Sequence, residues 1–298
     1  MLRYAAIDVG SNAVRLLIAD ISEGDKGYYF KKNTLVRVPL RLGDDAFLDR
    51  RISGRKINDL IKAMSAFKHL MDVYHVSHYL AYATSAMREA ENGAAVIQEI
   101  KEKANVDLAI IAGQREADII YANHIEESLD IKKSYLYIDV GGGSTELSVF
   151  SNKVRIASQS FNIGTIRILD NQDTDETWEA MRKWVKAHTR SLKNLAGIGT
   201  GGNINKLFRM SGEKEDKPLS FLKLKNLYNE LNSYSLKERI TIMKLNEDRA
   251  DVIIPACEIY LTLMKWTGIK QIYVPRVGMV DGIINLLIEE NLRIKGLA

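Results

Sequence analysis

The chain has 298 residues, of which 46% are hydrophobic and 27% charged, with a formal net charge of +4. That composition excludes a disordered or low-complexity chain and allows two domains, each with its own core. The mild positive balance suits an anionic ligand, but basic and aromatic residues are not interleaved, so no specific nucleic-acid binding is expected.

No run of about 18 apolar residues occurs, so no membrane-spanning helix is expected. Met1–Asp8 sets an acid where a secretion signal needs its apolar stretch, so no targeting segment is expected. Cys257 is the one cysteine. It lies in the apolar run Val252–Cys257 and reads as a buried structural thiol, which fits a reducing, cytoplasmic compartment.

In chain order, the first pattern is an apolar strand ending in Asp8, a turn Gly10-Ser11-Asn12, and a second apolar strand through Val14, Leu16, Leu17 and Ile18. This predicts a hairpin. A glycine turn lets backbone N–H groups approach an anion, with Ser11, Asn12 and Arg15 as further donors. By itself, an ordinary Asx-type turn explains the motif as well.

Apolar spacing of three and four then predicts a helix over 55–74. Tyr79–Ala83 reads as a strand leading into Thr84-Ser85, with Arg88 beyond. The hydroxyls serve either as a helix cap or, with Arg88, as phosphate donors. Helices are predicted over Ala90–Ala104 and Arg115–Leu129. Glu116 lies in the first turn of the second, where the helix dipole favours a carboxylate in any case.

The first plan then returns, with Asp139 standing 131 positions after Asp8 (139 − 8). Apolar Tyr135–Ile138 leads to Asp139, then Gly141-Gly142-Gly143-Ser144-Thr145-Glu146 and a second apolar strand. A period of that length means a duplicated domain. Three consecutive glycines cost entropy that a plain hairpin does not require, so backbone approach to a ligand is the better explanation. Asp139 and Glu146 flank the turn and could hold Mg²⁺ or another divalent cation.

Further helices are predicted over Thr174–Leu195, Leu222–Tyr234 and Gly282–Leu292. Gly197, Gly199 and Gly202 satisfy a dinucleotide-binding pattern, but the acid expected about twenty residues later is missing. Gly201 and Gly202, at a helix start, suit phosphate instead. Strands alternating with helices give an α/β fold. The seam is expected near 123–132. That makes one domain of residues 1–124, with the helix from about 283–298 packing back on it, and a second of 125–282.

Ile7–Asn12 with Val14-Arg15-Leu16, Ala83–Arg88, Ile138–Leu147, Gly164-Thr165-Ile166-Arg167 and Gly199–Gly202 together resemble the exopolyphosphatase / guanosine pentaphosphate phosphohydrolase (Ppx/GppA) family. The resemblance runs from residue 3 to about 284. It implies two ribonuclease-H-like domains of the actin, sugar-kinase and acetate-kinase superfamily, with the site in an interdomain cleft. It implies Mg²⁺, a catalytic Glu116, and metal or phosphate roles for Asp139, Gly141–Ser144 and Glu146.

Joined to the residue-level reading, the expected phosphate ligands are Gly10, Ser11, Asn12, Arg15, Thr84, Ser85, Arg88, Gly141, Gly142, Gly143, Ser144, Thr145, Gly201 and Gly202. The expected metal ligands are Asp139, Glu146 and Asp8. The expected partner is polyphosphate or a guanosine penta- or tetraphosphate, with a homodimer also allowed. The alternatives are a non-catalytic alarmone binder and a small-molecule kinase of the same superfamily. Three features depart from the family pattern: Gln114 and Arg115 before the glutamate, Met279-Val280-Asp281 near the end, and Asn203 where threonine is common; the extra C-terminal helical domains of longer relatives are not expected.

Overall fold

The structure, a computed structural model, describes residues 2–24, 27–123, 130–215 and 217–294. The chain divides into two compact units, Met1–Asn123 with Gly278–Ala298, and His124–Val277.

The first unit opens with β1 (Leu2–Val9), β2 (Ala13–Gly24) and β3 (Gly27–Pro39), an antiparallel meander. Helices α1 (Leu42–Leu48) and α2 (Gly54–Val73) lead to β4 (His78–Ala83). Then come α3 (Ser85–Glu89), α4 (Gly93–Ala104), β5 (Ala109–Ile110) and α5 (Gly113–Tyr121). The sheet order is β3-β2-β1-β4-β5, with β4 parallel to both β1 and β5. Successive residues Ala5, Ala6 and Ile7 of β1 are wholly buried, so both faces of the strand are covered. Buried Leu60, Met64 and Phe67 line the apolar stripe of α2.

The second unit repeats this order. Its meander is β6 (Ser134–Val140), β7 (Thr145–Ser151) and β8 (Val154–Phe161). Helices α6 (Thr165–Leu169) and α7 (Asp175–Thr189) lead to β9 (Leu195–Thr200) and α8 (Gly202–Met210). Beyond lie β10 (Leu219–Ser220), α9 (Phe221–Ser233), α10 (Leu236–Thr241), α11 (Glu247–Ala250), α12 (Ile253–Thr267) and β11 (Gln271–Tyr273). The sheet order is β10-β11-β9-β6-β7-β8. The last helix, α13 (Met279–Ile294), returns to the first unit and lies on β1, β2 and β4 and against α5.

The five-strand order of one unit matches the order β8-β7-β6-β9-β11 of the other, with a meander followed by parallel strands. Each unit is therefore an α/β, ribonuclease-H-like sheet, and the period of 131 residues is a duplicated fold.

Three differences from the sequence expectations have local causes, and one expected helix end falls outside the described residues. The helix predicted from Ala90 starts at Gly93, because the Asn92 side chain exchanges two 2.9 Å hydrogen bonds with the Ile52 backbone. The helix predicted to Leu195 ends at Thr189, and Asn194 takes a left-handed φ of 52° just before β9. The helix predicted to Leu129 is described to Tyr121, and residues 124–129 lie outside the described residues. Helix α12 has no predicted counterpart. It is apolar on most sides and carries the centre of the second core, with Ile253, Cys257, Tyr260 and Leu263 wholly buried, so it offers no polar face to reveal a period. Its Pro255 is tolerated because the N–H groups of a first helical turn have no intrahelical acceptor.

Among the described residues no helix is long and apolar enough to cross a membrane.

Candidate active site

In the first unit the predicted residues gather where β1, β4 and β5 end. Asp8 pairs in register with Arg15 across the hairpin, and Arg15 Nη1 sits 2.5 Å from Asp8 Oδ2. Asp8 is almost fully buried, so its charge is balanced by this arginine rather than by water. Gly10 N–H donates to Ala13 O at 3.2 Å and closes the turn. The Ser11 carbonyl accepts from Gly43 N–H and the Asn12 carbonyl from Arg41 N–H, both at 2.9 Å. The carbonyls of the turn thus face inward, which leaves its N–H edge for an anion.

Buried Ser11 and Ser85 share a 2.9 Å hydroxyl–hydroxyl bond, which ties the first turn to the end of β4. Thr84 N–H donates to Val9 O. Thr84 stands at the cap position of α3, but its side chain makes no cap bond. Arg88 Nη1 donates to Ile111 O at 2.8 Å and joins α3 to the segment entering α5. Half-buried Glu116 lies in the first turn of α5, its N–H on Ala112 O. The position of α5 depends on Gly282 of α13, where a β-carbon would overlap the Ile119 carbonyl oxygen.

In the second unit the same edge carries the glycine loop. Gly141 N–H donates to Ser144 O at 2.9 Å, repeating the Gly10–Ala13 closure. Its carbonyls are held from inside. Thr165 N–H reaches Gly141 O, Ile166 N–H reaches Gly142 O, and buried Arg167 Nε reaches Gly143 O at 2.6 Å. Gly164 permits this fit, since a β-carbon there would stand 2.6 Å from the Gly143 carbonyl carbon. Among the described residues the N–H groups of Gly142 and Gly143 have no backbone acceptor, an arrangement of the kind that suits an anion. Thr145 is turned the other way. It is wholly buried and its hydroxyl donates to Ile163 O at 2.6 Å, so it anchors the loop from within.

Asp139 and Glu146 are cross-strand partners, and Glu146 is in turn registered with Ser160, whose hydroxyl donates to its Oε1 at 2.9 Å. On the other side Asp139 is registered with Thr200. Registered neighbours share a face, so Ser160, Glu146, Asp139 and Thr200 form one row across four strands. Gly201 follows with a φ of 97°, and a β-carbon there would stand 2.8 Å from Asp139 Oδ1. Arg249 Nη1 donates to Gly202 O at 2.6 Å, and wholly buried Tyr260 donates to Thr200 O at 2.9 Å, with Ile138 O at 3.2 Å. Together these fix the start of α8. Burial, and the nearby charge of Asp139, push the Tyr260 phenol well above its ordinary range, so it stays a neutral donor.

The duplication makes the two rows comparable position by position. The row of the first unit is Arg37, Arg15, Asp8 and Tyr82. Asp8 and Asp139 are equivalent, but Arg15 is matched by Glu146. One unit therefore sets a guanidinium beside its aspartate, and the other sets a second carboxylate. The first donor set suits phosphate oxygens. The second is hard, acidic and oxygen-only, and fits Mg²⁺, which is usually held by one or two carboxylates with water and phosphate completing its shell. Asp8, engaged by Arg15, fits that role less well than Asp139 and Glu146. Among the described residues no group of three or more His, Cys, Asp or Glu is arranged for a metal.

Sequence reasoning had no sign of Ser160, Tyr260 or Arg249, and Thr200 was visible only inside the Gly199–Gly202 motif, without a role. Each acts from an adjacent strand or a distant helix, and pairing across a sheet is not written in local spacing. Gly164 and Arg167 were visible as a motif but without a role.

The Ppx/GppA phosphatase family model matches residues 18–290. A bifunctional 3-dehydroquinate synthase/phosphatase of Fusobacterium nucleatum is 27% identical over 89% of the chain, and the chain spans only 43% of that longer relative. Exopolyphosphatase 2 of Mycobacterium tuberculosis is 25% identical, with 95% of this chain and 98% of that protein covered. Among solved structures, an exopolyphosphatase from Cytophaga hutchinsonii superposes with a TM-score of 0.82 at 22% identity, covering 97% of this chain and 98% of the other. The Aquifex aeolicus PPX-GPPA enzyme gives 0.73 at 22% identity, covering 96% and 99%.

Fold and donor set define a two-unit α/β protein on ribonuclease-H-like sheets, with glycine loops at the strand ends. The chain belongs to the Ppx/GppA phosphatase family. Its class is that of the exopolyphosphatase-type phosphoric anhydride hydrolases.

Proposed function

We propose that this chain releases terminal phosphate from inorganic polyphosphate, with guanosine pentaphosphate as a second substrate of the same chemistry. The observation that carries the reading is the pair of equivalent rows with opposite charge, Arg15 beside Asp8 and Glu146 beside Asp139.

Phosphoryl transfer asks for position and charge stabilisation more than for covalent chemistry. The N–H edges of Ser11–Asn12 and Gly142–Ser144, in turns closed by the Gly10 and Gly141 N–H groups, hold phosphate oxygens, with Gly201 and Gly202 at the start of α8 as a further contact. Arg15, aligned by Asp8, neutralises a phosphate, and Arg88 and the Ser11–Ser85 pair complete the first unit's contacts. Glu116 takes the proton of the attacking water as the phosphorus–oxygen anhydride bond breaks. A divalent cation at Asp139 and Glu146 would stabilise negative charge developing on the phosphate oxygens. No histidine or cysteine belongs to the motifs, so the reading includes no phosphoryl group carried on either residue.

The test is phosphate release from medium-chain polyphosphate and from guanosine pentaphosphate, side by side, beside incubation of ATP with sugar and carboxylate acceptors. Release from polyphosphate without transfer from ATP supports the proposal. Transfer to an acceptor establishes a kinase instead. Tight binding of guanosine tetra- or pentaphosphate without release establishes a binder.

A further inference from the structure

Thr200 closes β9, is 1% exposed, and its Oγ1 makes no hydrogen bond among the described residues. A buried hydroxyl without a partner is destabilising, so its retention calls for an explanation. The hydroxyl is not part of the device that holds the strand end, because Tyr260 bonds the Thr200 carbonyl. It stands in register with Asp139 and on the same sheet face. The Asp139 carboxylate leans toward this side, since Oδ1 lies 2.8 Å from where a β-carbon of Gly201 would be.

Among the described residues of this row the acids are two, Asp139 and Glu146. A cation that wants six oxygens takes the rest from hydroxyl, water or phosphate. A neutral threonine hydroxyl suits that place, and in P-loop enzymes a Ser or Thr hydroxyl meets Mg²⁺ beside an acid in the same way.

We infer that the Thr200 hydroxyl is the third protein oxygen of a divalent-cation subsite whose other two are Asp139 and Glu146. The inference rests on the cation reading of those two acids. Threonine adds no charge, so its contribution is to the number and direction of oxygens and not to the electrostatic sum.

The experiment measures Mn²⁺ binding without substrate, by electron paramagnetic resonance, for wild type, Asp139→Asn, Thr200→Val and Thr200→Ser, together with the metal-free melting temperature of each. The expected result is binding by wild type, its loss in Asp139→Asn, affinity about tenfold weaker in Thr200→Val, equal to about 1.4 kcal/mol, and near-normal binding in Thr200→Ser. Thr200→Val should melt at or above wild type, because it removes a hydroxyl that has no partner in the folded chain. If wild type and Asp139→Asn bind alike, the cation reading of the acids falls and the role of Thr200 with it. If Asp139→Asn loses binding but Thr200→Val matches wild type, the threonine inference alone is overturned. A Thr200→Val protein that melts several degrees lower and binds Mn²⁺ normally assigns the hydroxyl to a structural water.

Discussion

Replacing Glu116 by Gln separates a catalytic role from a structural one, because the two effects differ widely in size. Glu116 sits half-buried in the first turn of α5. Glutamine keeps its shape and its helix propensity. The loss of a favourable charge at a helix N-terminus costs about 0.3–1 kcal/mol. In a protein of this size that moves the melting temperature by at most about 4 °C. Removing a general base costs about 10²–10⁴ in rate, or about 2.7–5.5 kcal/mol of barrier at 1.36 kcal/mol per decade. In the proposed mechanism the glycine loops, Arg15 and Arg88 hold the phosphate, so KM should change little. The assay is initial-rate phosphate release from polyphosphate over a range of substrate, with melting followed in parallel. A fall in kcat at constant KM and nearly constant Tm is the mark of an interaction made mainly in the transition state. A variant within about threefold of wild-type kcat removes Glu116 from the mechanism.

Three further outcomes are expected. Gly201→Ala places a side chain at a φ of 97° and 2.8 Å from Asp139 Oδ1, a strain of about 1–3 kcal/mol; Tm should fall by several degrees and the Mg²⁺ needed for half-maximal rate should rise, and an unchanged Mg²⁺ dependence refutes the contact. Lys183, Lys186, Arg190 and Lys193 are all exposed on or just beyond α7; if they steer a polyanion, Lys183→Gln with Lys186→Gln raises KM for polyphosphate at low salt and flattens its salt dependence, whereas unchanged KM for long and short chains makes them an ordinary solvated face. Cys257 is wholly buried, and burial pushes its thiol up, away from the reactive thiolate; a thiol reagent should label it only after unfolding, and rapid labelling of the native protein contradicts the packing of α12.

The fold was legible where the sequence repeats itself or keeps a period. Asp8 and Asp139 with their glycine turns announced two hairpins of one design, and α2, α9 and α13 showed amphipathic spacing. Helix α12 was not legible, because burial on most sides removes the polar face that makes a period visible. The site was legible at its turns, where glycine, serine and aspartate have few other reasons to cluster. It was not legible across its strands. Nothing near Asp139 in sequence points to Thr200, and nothing near Glu146 points to Ser160, because register is set by pairing over the whole sheet. The direction of a side chain was equally hidden. Thr145 and Ser144 are neighbours, yet alternation along the strand turns the Thr145 hydroxyl to Ile163, inside the fold.

The most direct test of the account is phosphate release from medium-chain polyphosphate in Mg²⁺, in excess chelator, and again after Mg²⁺ is restored, with circular dichroism recorded at each stage. The account predicts turnover, its loss in chelator with the spectrum unchanged, and its return. Full turnover in chelator, or no release at all from a folded protein supplied with Mg²⁺, would contradict it.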